Sequence, residues 1–182
     1  RRGVLACGER RPWSGSGERI PPPPQPFWAV VCPKIESPDN LGSIVRLADV
    51  FGVDLVLVGG QGPDPLSRRV LRVSMGTVLD VPVLSSNDLA SDLDRLEHEF
   101  GLEFLATVTD ADALPLHQVP RLGRIAVLLG NESEGLDPLW VERCHHRVTI
   151  PMRPGAESLN VAVAAGITLY VLSGQVQRLS GS

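Results

Sequence analysis

Short apolar runs alternate with helix-like stretches along most of this chain. The apolar runs have the length of strands and the near-continuous apolar character of strands that are buried on both faces. They are FWAVVC (27–32), DLVLVG (54–59), VPVL (81–84), EFLATV (103–108), RIAVLLG (124–130) and RVTI (147–150). The helix-like stretches lie at about 40–51, 66–75, 87–100 and 159–173. This alternation predicts an α/β fold in which a parallel sheet is flanked by helices.

The two ends of the chain lack this pattern. Residues 1–26 carry five arginines and two glutamates and end in a proline-rich run, which is typical of a flexible tail or a stiff linker. We therefore expect one folded domain at 27–175, followed by a short tail at 176–182. The net charge is −4 for the chain, +3 for residues 1–26 and hence −7 for the remainder. Such an acidic body can still bind nucleic acid through a basic patch, because phosphate contacts are local.

The composition argues against several classes of protein. Cys7, Cys32 and Cys144 are odd in number and far apart, which indicates structural thiols in a reducing compartment and predicts a cytoplasmic location. Neither the cysteines nor the four histidines have the spacing of metal ligands, so we expect no metal. No apolar stretch approaches the roughly 20 residues that span a bilayer, so we expect no membrane segment. The phosphate-binding patterns GxGxxG and GxxxxGKS/T are absent, which disfavours a plain nucleotide-binding domain.

Three polar or glycine-rich segments each follow a predicted strand, at 37–42, 130–135 and 151–160. Ligands of parallel α/β sheets bind beyond the carboxyl ends of the strands, so we expect these segments to converge on one site. The last segment places a rigid Pro/Gly loop, with Ser158 and Asn160, at the mouth of an apolar helix, where backbone N–H groups can grip a ligand. Ser158 is a residue type that caps helices, and we expect it to cap this one.

Taken singly, each segment also has a plainer interpretation. Asn40 and Arg46 lie six residues apart, nearly two helical turns, and we expect them on a similar side of their helix. However, Asn40 could equally be an ordinary residue at the start of a helix, and Arg46 could be a solvated charge. Gly130 permits close backbone approach to a ligand, yet the Glu132 that follows fits an ordinary acidic turn. The segment at 151–160 could be no more than the start of a capped helix.

Taken together, the three segments resemble the motifs of the SpoU/TrmH family, the ribose 2′-O-methyltransferases of the SPOUT superfamily. The matching pieces are N-x-G-x-x-x-R-x-A (40–48), L-G-N-E-x-x-G (129–135) and I-P-M…S-L-N-V-A-V-A (150–164). A fourth piece, RRVLRVSMGTVLDVPV (68–83), resembles the segment that members carry between the first two motifs. The similarity covers about 27–173. It departs from the family at Pro154, where many members have glycine.

The resemblance implies a fold, a cofactor and an assembly. Members bind S-adenosylmethionine in a C-terminal trefoil knot, act on RNA, and work as homodimers in which the first motif of one subunit lies near the cofactor of the other. By position, the implied cofactor-binding residues are Thr107, Gly130, Ile150, Met152, Ser158 and Leu159. The implied catalytic or substrate-ordering residues are Asn40, Arg46, Glu132, Ser158 and Asn160.

The function that the resemblance implies is methyl transfer from S-adenosylmethionine to a ribose 2′-hydroxyl of rRNA or tRNA. Arg46 matches the usual family base, but a guanidinium holds its proton firmly, so we favour a role in fixing a phosphate and stabilising the developing alkoxide. Arg68, Arg69 and Arg72 form a basic cluster that either guides RNA to the site or is a solvated face. Two alternatives stay open: a catalytically silent RNA-binding or assembly protein, and a methyltransferase that acts on a base.

Overall fold

The computed structural model describes residues 26–60, 62–120, 123–131 and 133–174 of the 182-residue chain. The predicted tails at 1–26 and 176–182 lie outside the described residues, apart from Pro26, and so does Glu132. The described residues form one seven-stranded sheet with helices on both faces, so the predicted α/β class is confirmed.

The seven strands are all parallel. Their bounds are β1 Phe27–Cys32, β2 Leu55–Gly59, β3 Val83–Ser86, β4 Glu103–Thr107, β5 Leu114–Pro115, β6 Arg124–Leu128 and β7 His146–Thr149. Their order across the sheet is β3-β2-β1-β6-β4-β7-β5. Because β6 returns between β1 and β4, and β7 pairs with the other side of β4, the loops that follow β6, β4 and β7 emerge side by side.

Five α-helices are described. They are α1 Pro38–Val50, α2 Arg68–Val73, α3 Leu89–His98, α4 Pro138–Glu142 and α5 Val161–Ser173, with short 3₁₀ turns at Thr77–Leu79 and Leu116–Gln118. Within the described ranges, none of these helices combines the length and the apolar character needed to cross a bilayer.

The sheet is buried on both faces, which explains the near-continuous apolar runs in the sequence. In β1, Trp28 and Val30 belong to a core cluster that includes residues of α1 and α5. Their neighbours Ala29 and Val31 point to the opposite cluster, to which α3 contributes. Alternate side chains of a strand point to opposite faces, so every residue of β1 is buried.

The pattern misplaced or missed some short elements. The third strand begins at Val83 rather than at position 81, because its pairing with β2 starts at Val83 opposite Val56. Val81 is buried ahead of the ladder, which is why it looked like part of the strand. The two-residue β5 and the five-residue α4 were not predicted, since elements this short leave no periodicity to detect.

The prediction that Ser158 caps the last helix is wrong. Helix α5 begins at Val161, and its N-cap is Asn160, whose side-chain oxygen accepts hydrogen bonds from the backbone N–H groups of Ala162 and Val163. Asparagine and serine cap helices about equally well, so position decided between them. Ser158 therefore stays outside the helix, as an exposed residue of the preceding loop.

Candidate active site

A cavity of about 400 Å³ lies at the carboxyl ends of β4, β6 and β7. Three loops and the inner face of α5 form its walls. All six predicted cofactor-binding residues line it: Thr107, Gly130, Ile150, Met152, Ser158 and Leu159. The expectation that the loops after neighbouring parallel strands converge on one site therefore holds for the segments at 130–135 and 151–160.

The segment at 131–135 is a tightly closed loop. Asn131 and Gly135 exchange two backbone hydrogen bonds of 2.7 and 3.0 Å, and the Asn131 side-chain oxygen accepts from the N–H groups of Ser133 and Glu134. Gly135 has a φ of 74°, which favours glycine. A Cβ at Gly130 would lie 2.5 Å from both the Gly135 carbonyl carbon and the Leu136 nitrogen, so only glycine fits at the base of this loop.

The first and third motifs meet at the start of α5. The Asn160 side-chain nitrogen donates to the Asn40 side-chain oxygen over 3.1 Å, across 120 positions of sequence. Asn40 itself lies in the first turn of α1, where its N–H donates to the Ser37 hydroxyl that caps the helix. One amide thus serves two purposes, because Asn160 caps α5 with its oxygen and binds α1 with its nitrogen.

Arg46 does not share this position. It is exposed and does not line the cavity. The expectation that Asn40 and Arg46 lie on a similar side of the helix is wrong, because six residues at about 100° each put them roughly 120° apart around the axis. Within one copy of the chain, the cavity and the Arg46 side chain are therefore separate.

The predicted arginine cluster on α2 is divided by its contacts. Arg69 forms a two-pronged ion pair with Asp39 of α1, with N–O distances of 2.6 and 2.9 Å. The hydrogen bond from Arg69 lowers the pKa of the Asp39 carboxyl below its ordinary value. All three arginines are exposed, but Arg69 ties α2 to α1 through this ion pair. Their predicted role in guiding RNA stays a prediction.

Gly42 of the first motif has a packing role. A Cβ at this position would lie 2.8 Å from the Val73 Cβ and 3.2 Å from the Ser74 nitrogen, so glycine allows α1 and α2 to approach closely. This close approach brings Arg69 within reach of Asp39.

Sequence reasoning missed several contacts in the cavity wall and next to it. Thr107 lines it as predicted, but its hydroxyl donates to the Leu128 carbonyl over 2.8 Å and so joins β4 to β6. Asn131 was quoted only as part of a motif, although it organises its loop. Lys34 binds Glu134 at 2.7 Å and thereby links the β1–α1 loop to the 131–135 loop; this hydrogen bond raises the pKa of Lys34. No sequence pattern marked that contact.

A wider cleft of about 910 Å³ adjoins the cavity and shares Thr107, Val108, Thr109, Glu134 and Gly135 with it. Arg147 of β7 lies in this cleft, where it pairs with Asp110 and Asp112 of the loop after β4. Cys144 also lines it, and burial raises the pKa of its thiol to about 12. The thiol therefore stays protonated at neutral pH and is a poor nucleophile, which agrees with a structural role.

Comparison with known proteins places this site in context. The family described as SpoU rRNA Methylase matches residues 28–170. The 23S rRNA (guanosine(2553)-2′-O)-methyltransferase RlmP of Bacillus subtilis is 36% identical over 140 residues, which cover 77% of this chain and 55% of that protein. The 23S rRNA (guanosine-2′-O-)-methyltransferase RlmB of Escherichia coli K12 is 34% identical over 146 residues, 80% of this chain and 59% of that protein. This chain thus spans somewhat more than half the length of these relatives.

Solved structures give the same result for the fold. The SpoU methyltransferase AviRb from Streptomyces viridochromogenes, in complex with the cofactor AdoMet, has a TM-score of 0.78 at 30% identity, over 88% of this chain and 64% of that one. An AdoMet-bound rRNA methyltransferase from Sinorhizobium meliloti has a TM-score of 0.78 at 28% identity, over 87% of this chain and 59% of that one.

Proposed function

We propose that this chain, which belongs to the SpoU rRNA methylase family, transfers a methyl group from S-adenosylmethionine to a ribose 2′-hydroxyl of RNA. The observation that carries the proposal is the convergence of the second and third motifs on one cavity, with the Asn160–Asn40 bond joining the first motif to the third. The relatives RlmP and RlmB are named as 23S rRNA methyltransferases, and on that ground we favour rRNA over tRNA as the substrate. We assign this activity to a domain at 27–175.

The residues of the cavity fit S-adenosylmethionine. A volume of about 400 Å³ lies within the usual range of roughly 300–1,000 Å³ for small-molecule sites. Its floor is apolar, whereas its rim carries exposed polar groups, including Ser133, Glu134 and Ser158. When bound, the cofactor supplies a sulfonium-activated methyl group. Gly130, Ile150, Met152 and Leu159 would hold it, the first by letting the backbone approach closely.

The polar residues of the motifs would order the acceptor. In-line methyl transfer depends strongly on positioning, because correctly oriented reactants avoid most of the entropic cost of meeting. Asn40 and Asn160 hold each other at the start of α5, so we assign them, together with Ser158, to orienting the ribose. Arg46 would fix the adjacent phosphate and stabilise the charge that develops on the 2′-oxygen, while the proton passes to phosphate or water. Glu132 is assigned to holding the loops or Arg46 in place.

We further propose a homodimer, in which the outer face of α5 contacts a second copy. This helix is apolar around its whole circumference, as helices buried on all sides are. Yet Val163 and Tyr170 are 51% and 70% exposed in the single chain. A second copy packed here would cover these side chains and present its Arg46 to the cavity, which Arg46 of the same chain does not line. Threading of the C-terminal loops into a trefoil knot is part of the same proposal, from the family resemblance.

A labelled-methyl assay tests the activity. The protein is incubated with S-adenosylmethionine carrying a tritiated methyl group and, separately, with unmodified 23S rRNA, 16S rRNA and bulk tRNA. We expect label in 23S rRNA, and we expect the labelled linkage to resist alkaline hydrolysis, because a 2′-O-methyl group removes the internal nucleophile. An excess of S-adenosylhomocysteine should suppress the signal.

Other results of this assay would contradict the proposal. Label on a base would identify a base methyltransferase instead. RNA that is retained by the protein without any label, in all three substrates, would favour the silent binding or assembly protein. The predicted cytoplasmic location is part of the proposal, since rRNA and tRNA are substrates found there.

A further inference from the structure

Thr168 lies in the middle of α5 and is fully buried, and it lines the cavity. Within the described part of the chain, its hydroxyl oxygen has no hydrogen-bond partner. This is unusual, because a helical threonine can donate to the carbonyl one turn earlier, and buried hydroxyls are almost always paired. A polar atom left unpaired at the wall of a ligand cavity indicates that the ligand completes its hydrogen bonding.

The surroundings of Thr168 limit which part of a ligand can reach it. The neighbouring cavity residues are buried and apolar: Leu116, Leu129, Val148 and Val161. Charged groups lose their hydration in such a floor and are disfavoured there. A flat ring with apolar faces and a polar edge fits instead, because the faces contact the aliphatic side chains while the edge meets the single hydroxyl.

The rim of the cavity suits the remainder of the cofactor. Ser133, Glu134, Glu157 and Ser158 are exposed polar residues among those that line it. The ammonium and carboxylate of a methionyl tail stay hydrated at such a rim. The distribution of polarity in the cavity therefore orients the ligand, with its ring inward and its charged tail outward.

We propose that the Thr168 hydroxyl hydrogen-bonds to the edge of the adenine ring of S-adenosylmethionine. This inference rests on the proposed function, which supplies the identity of the ligand. A hydroxyl both donates and accepts, so it can pair with a ring nitrogen or with the exocyclic amine. Thr168 is then a cofactor-binding residue that none of the three motif segments singled out.

The test compares Thr168→Val with Thr168→Ser. Valine keeps the shape of the side chain and removes the hydroxyl, whereas serine keeps the hydroxyl. We expect Thr168→Val to raise the Kd of S-adenosylhomocysteine, measured by calorimetry, about three- to tenfold, the usual effect of losing one hydrogen bond. Thr168→Ser should stay within about twofold of the wild type by the same measure. In the methyl-transfer assay, the loss should lie mainly in the KM for S-adenosylmethionine, which should rise by a similar factor.

Stability gives a second, independent readout. The hydroxyl has no partner among the residues that the structure describes, so Thr168→Val should leave the Tm without ligand unchanged or raise it, since an apolar isostere suits a buried site better. Thr77→Val is the matched control, because the Thr77 hydroxyl donates to the Ser74 carbonyl over 2.9 Å. That control should lower the Tm and leave the affinity for S-adenosylhomocysteine unaltered.

A truncated ligand locates the contact. Methylthioadenosine keeps the adenine ring and lacks the amino-acid tail, so the affinity gap between wild type and Thr168→Val should be the same for it as for S-adenosylhomocysteine. A gap confined to S-adenosylhomocysteine would overturn the assignment to adenine. Equal affinities in wild type and Thr168→Val would overturn the role of the hydroxyl. So would a loss of affinity in Thr168→Val that is accompanied by a lower Tm without ligand, because the variant would then act through the fold. A wild-type protein that binds neither ligand would end the proposed function and this inference together.

Discussion

The cofactor cavity and the exposed arginines of α1 and α2 differ in how far one copy of the chain completes them. The cavity is organised within one chain, with the 131–135 loop closed on itself and its neighbours packed on buried strands. The exposed arginines Arg46, Arg68 and Arg72 are presented to solvent and do not line the cavity. In one copy of the chain, the proposed methyl donor site is thus complete, while the proposed acceptor site is open.

This difference separates two steps that one assay would combine. Cofactor binding should depend on glycines and loop hydrogen bonds, and should survive changes at the arginines. Methyl transfer should depend on the arginines and on a second copy of the chain, and should be lost without any loss of cofactor affinity. Variants at the cavity and variants at the arginines can therefore test whether cofactor binding and methyl transfer are separable.

The largest expected effect belongs to Arg46→Ala. Removing a group that stabilises charge in the transition state typically lowers turnover about 100- to 1,000-fold. Because Arg46 does not line the cavity of its own chain, and because the proposal assigns it to the acceptor phosphate rather than to the cofactor, the Kd of S-adenosylhomocysteine should stay within about twofold of the wild type. Methyl incorporation into RNA and calorimetry give the two values. Arg95→Met, which removes the ion pair between the partly buried Arg95 of α3 and Glu99 at the end of that helix, is the control and should change neither. Comparable turnover in Arg46→Ala would remove this residue from the mechanism.

The next largest effect tests the proposed dimer contact at α5, through which a second copy would bring its Arg46 to the cavity. Val163→Glu places a charge on the exposed face of α5, in the first helical turn, where a carboxylate suits the helix dipole. The helix should therefore persist, whereas the dimer dissociation constant should rise about 30-fold or more, because a charge must lose its hydration at the interface. Sedimentation velocity measures the association.

Leu139→Glu is the matched control for this variant, since Leu139 is also exposed in the first turn of a helix, in α4. It should leave the oligomeric state unchanged. A Val163→Glu protein that keeps the oligomeric state of the wild type would place the partner, if one exists, on another surface.

A smaller effect tests the cavity side. In Gly130→Ala, the new Cβ meets backbone atoms at 2.5 Å that cannot move aside as a flexible side chain could. Overpacking of this kind typically costs about 1–3 kcal/mol, so we expect the affinity for S-adenosylhomocysteine to fall about tenfold. Gly123→Ala is the control, because a Cβ there would meet no atom of the described residues within 4 Å. Equal affinities in the two variants would mean that the 131–135 loop does not shape the cofactor site.

The sequence predicted which residues line the cavity better than it predicted the strand order and helix cap that position them. Strand-length apolar runs predict a parallel sheet, and the strand-end rule then places Gly130 and Met152 at one edge. The order β6-β4-β7 was not predictable from the pattern, because buried strands of similar composition are interchangeable to periodicity analysis. The cap at Asn160 was misassigned to Ser158 for a related reason, since both residue types satisfy the same backbone donors.

Contacts between distant residues were beyond the sequence pattern altogether. The hydroxyl of Thr168, which has no partner in the described ranges, lies within an apolar helix, where the sequence pattern does not distinguish a threonine from its apolar neighbours. The Asn40–Asn160 bond joins residues whose types were predicted to matter but whose contact was not. Composition and spacing report which side chains are available, and only the fold reports which of them meet.

The smallest expected effect concerns the ion pairs of Arg147 next to the cavity wall. Arg147 pairs with Asp110 and Asp112, and the loop that carries these two aspartates continues from Thr107, Val108 and Thr109 in the cavity wall. All three charged side chains are substantially exposed, so the pairs are screened by water and contribute little. Arg147→Met leaves two neighbouring carboxylates without their cation, and their repulsion should loosen the wall and raise the Kd of S-adenosylhomocysteine about two- to threefold.

Arg147→Lys should restore most of the affinity. The gap between Arg147→Met and wild type should also narrow as salt rises toward 1 M, where the screening length is about 3 Å. A gap that is independent of salt, or that Arg147→Lys fails to close, would mean that the side chain acts through packing rather than charge.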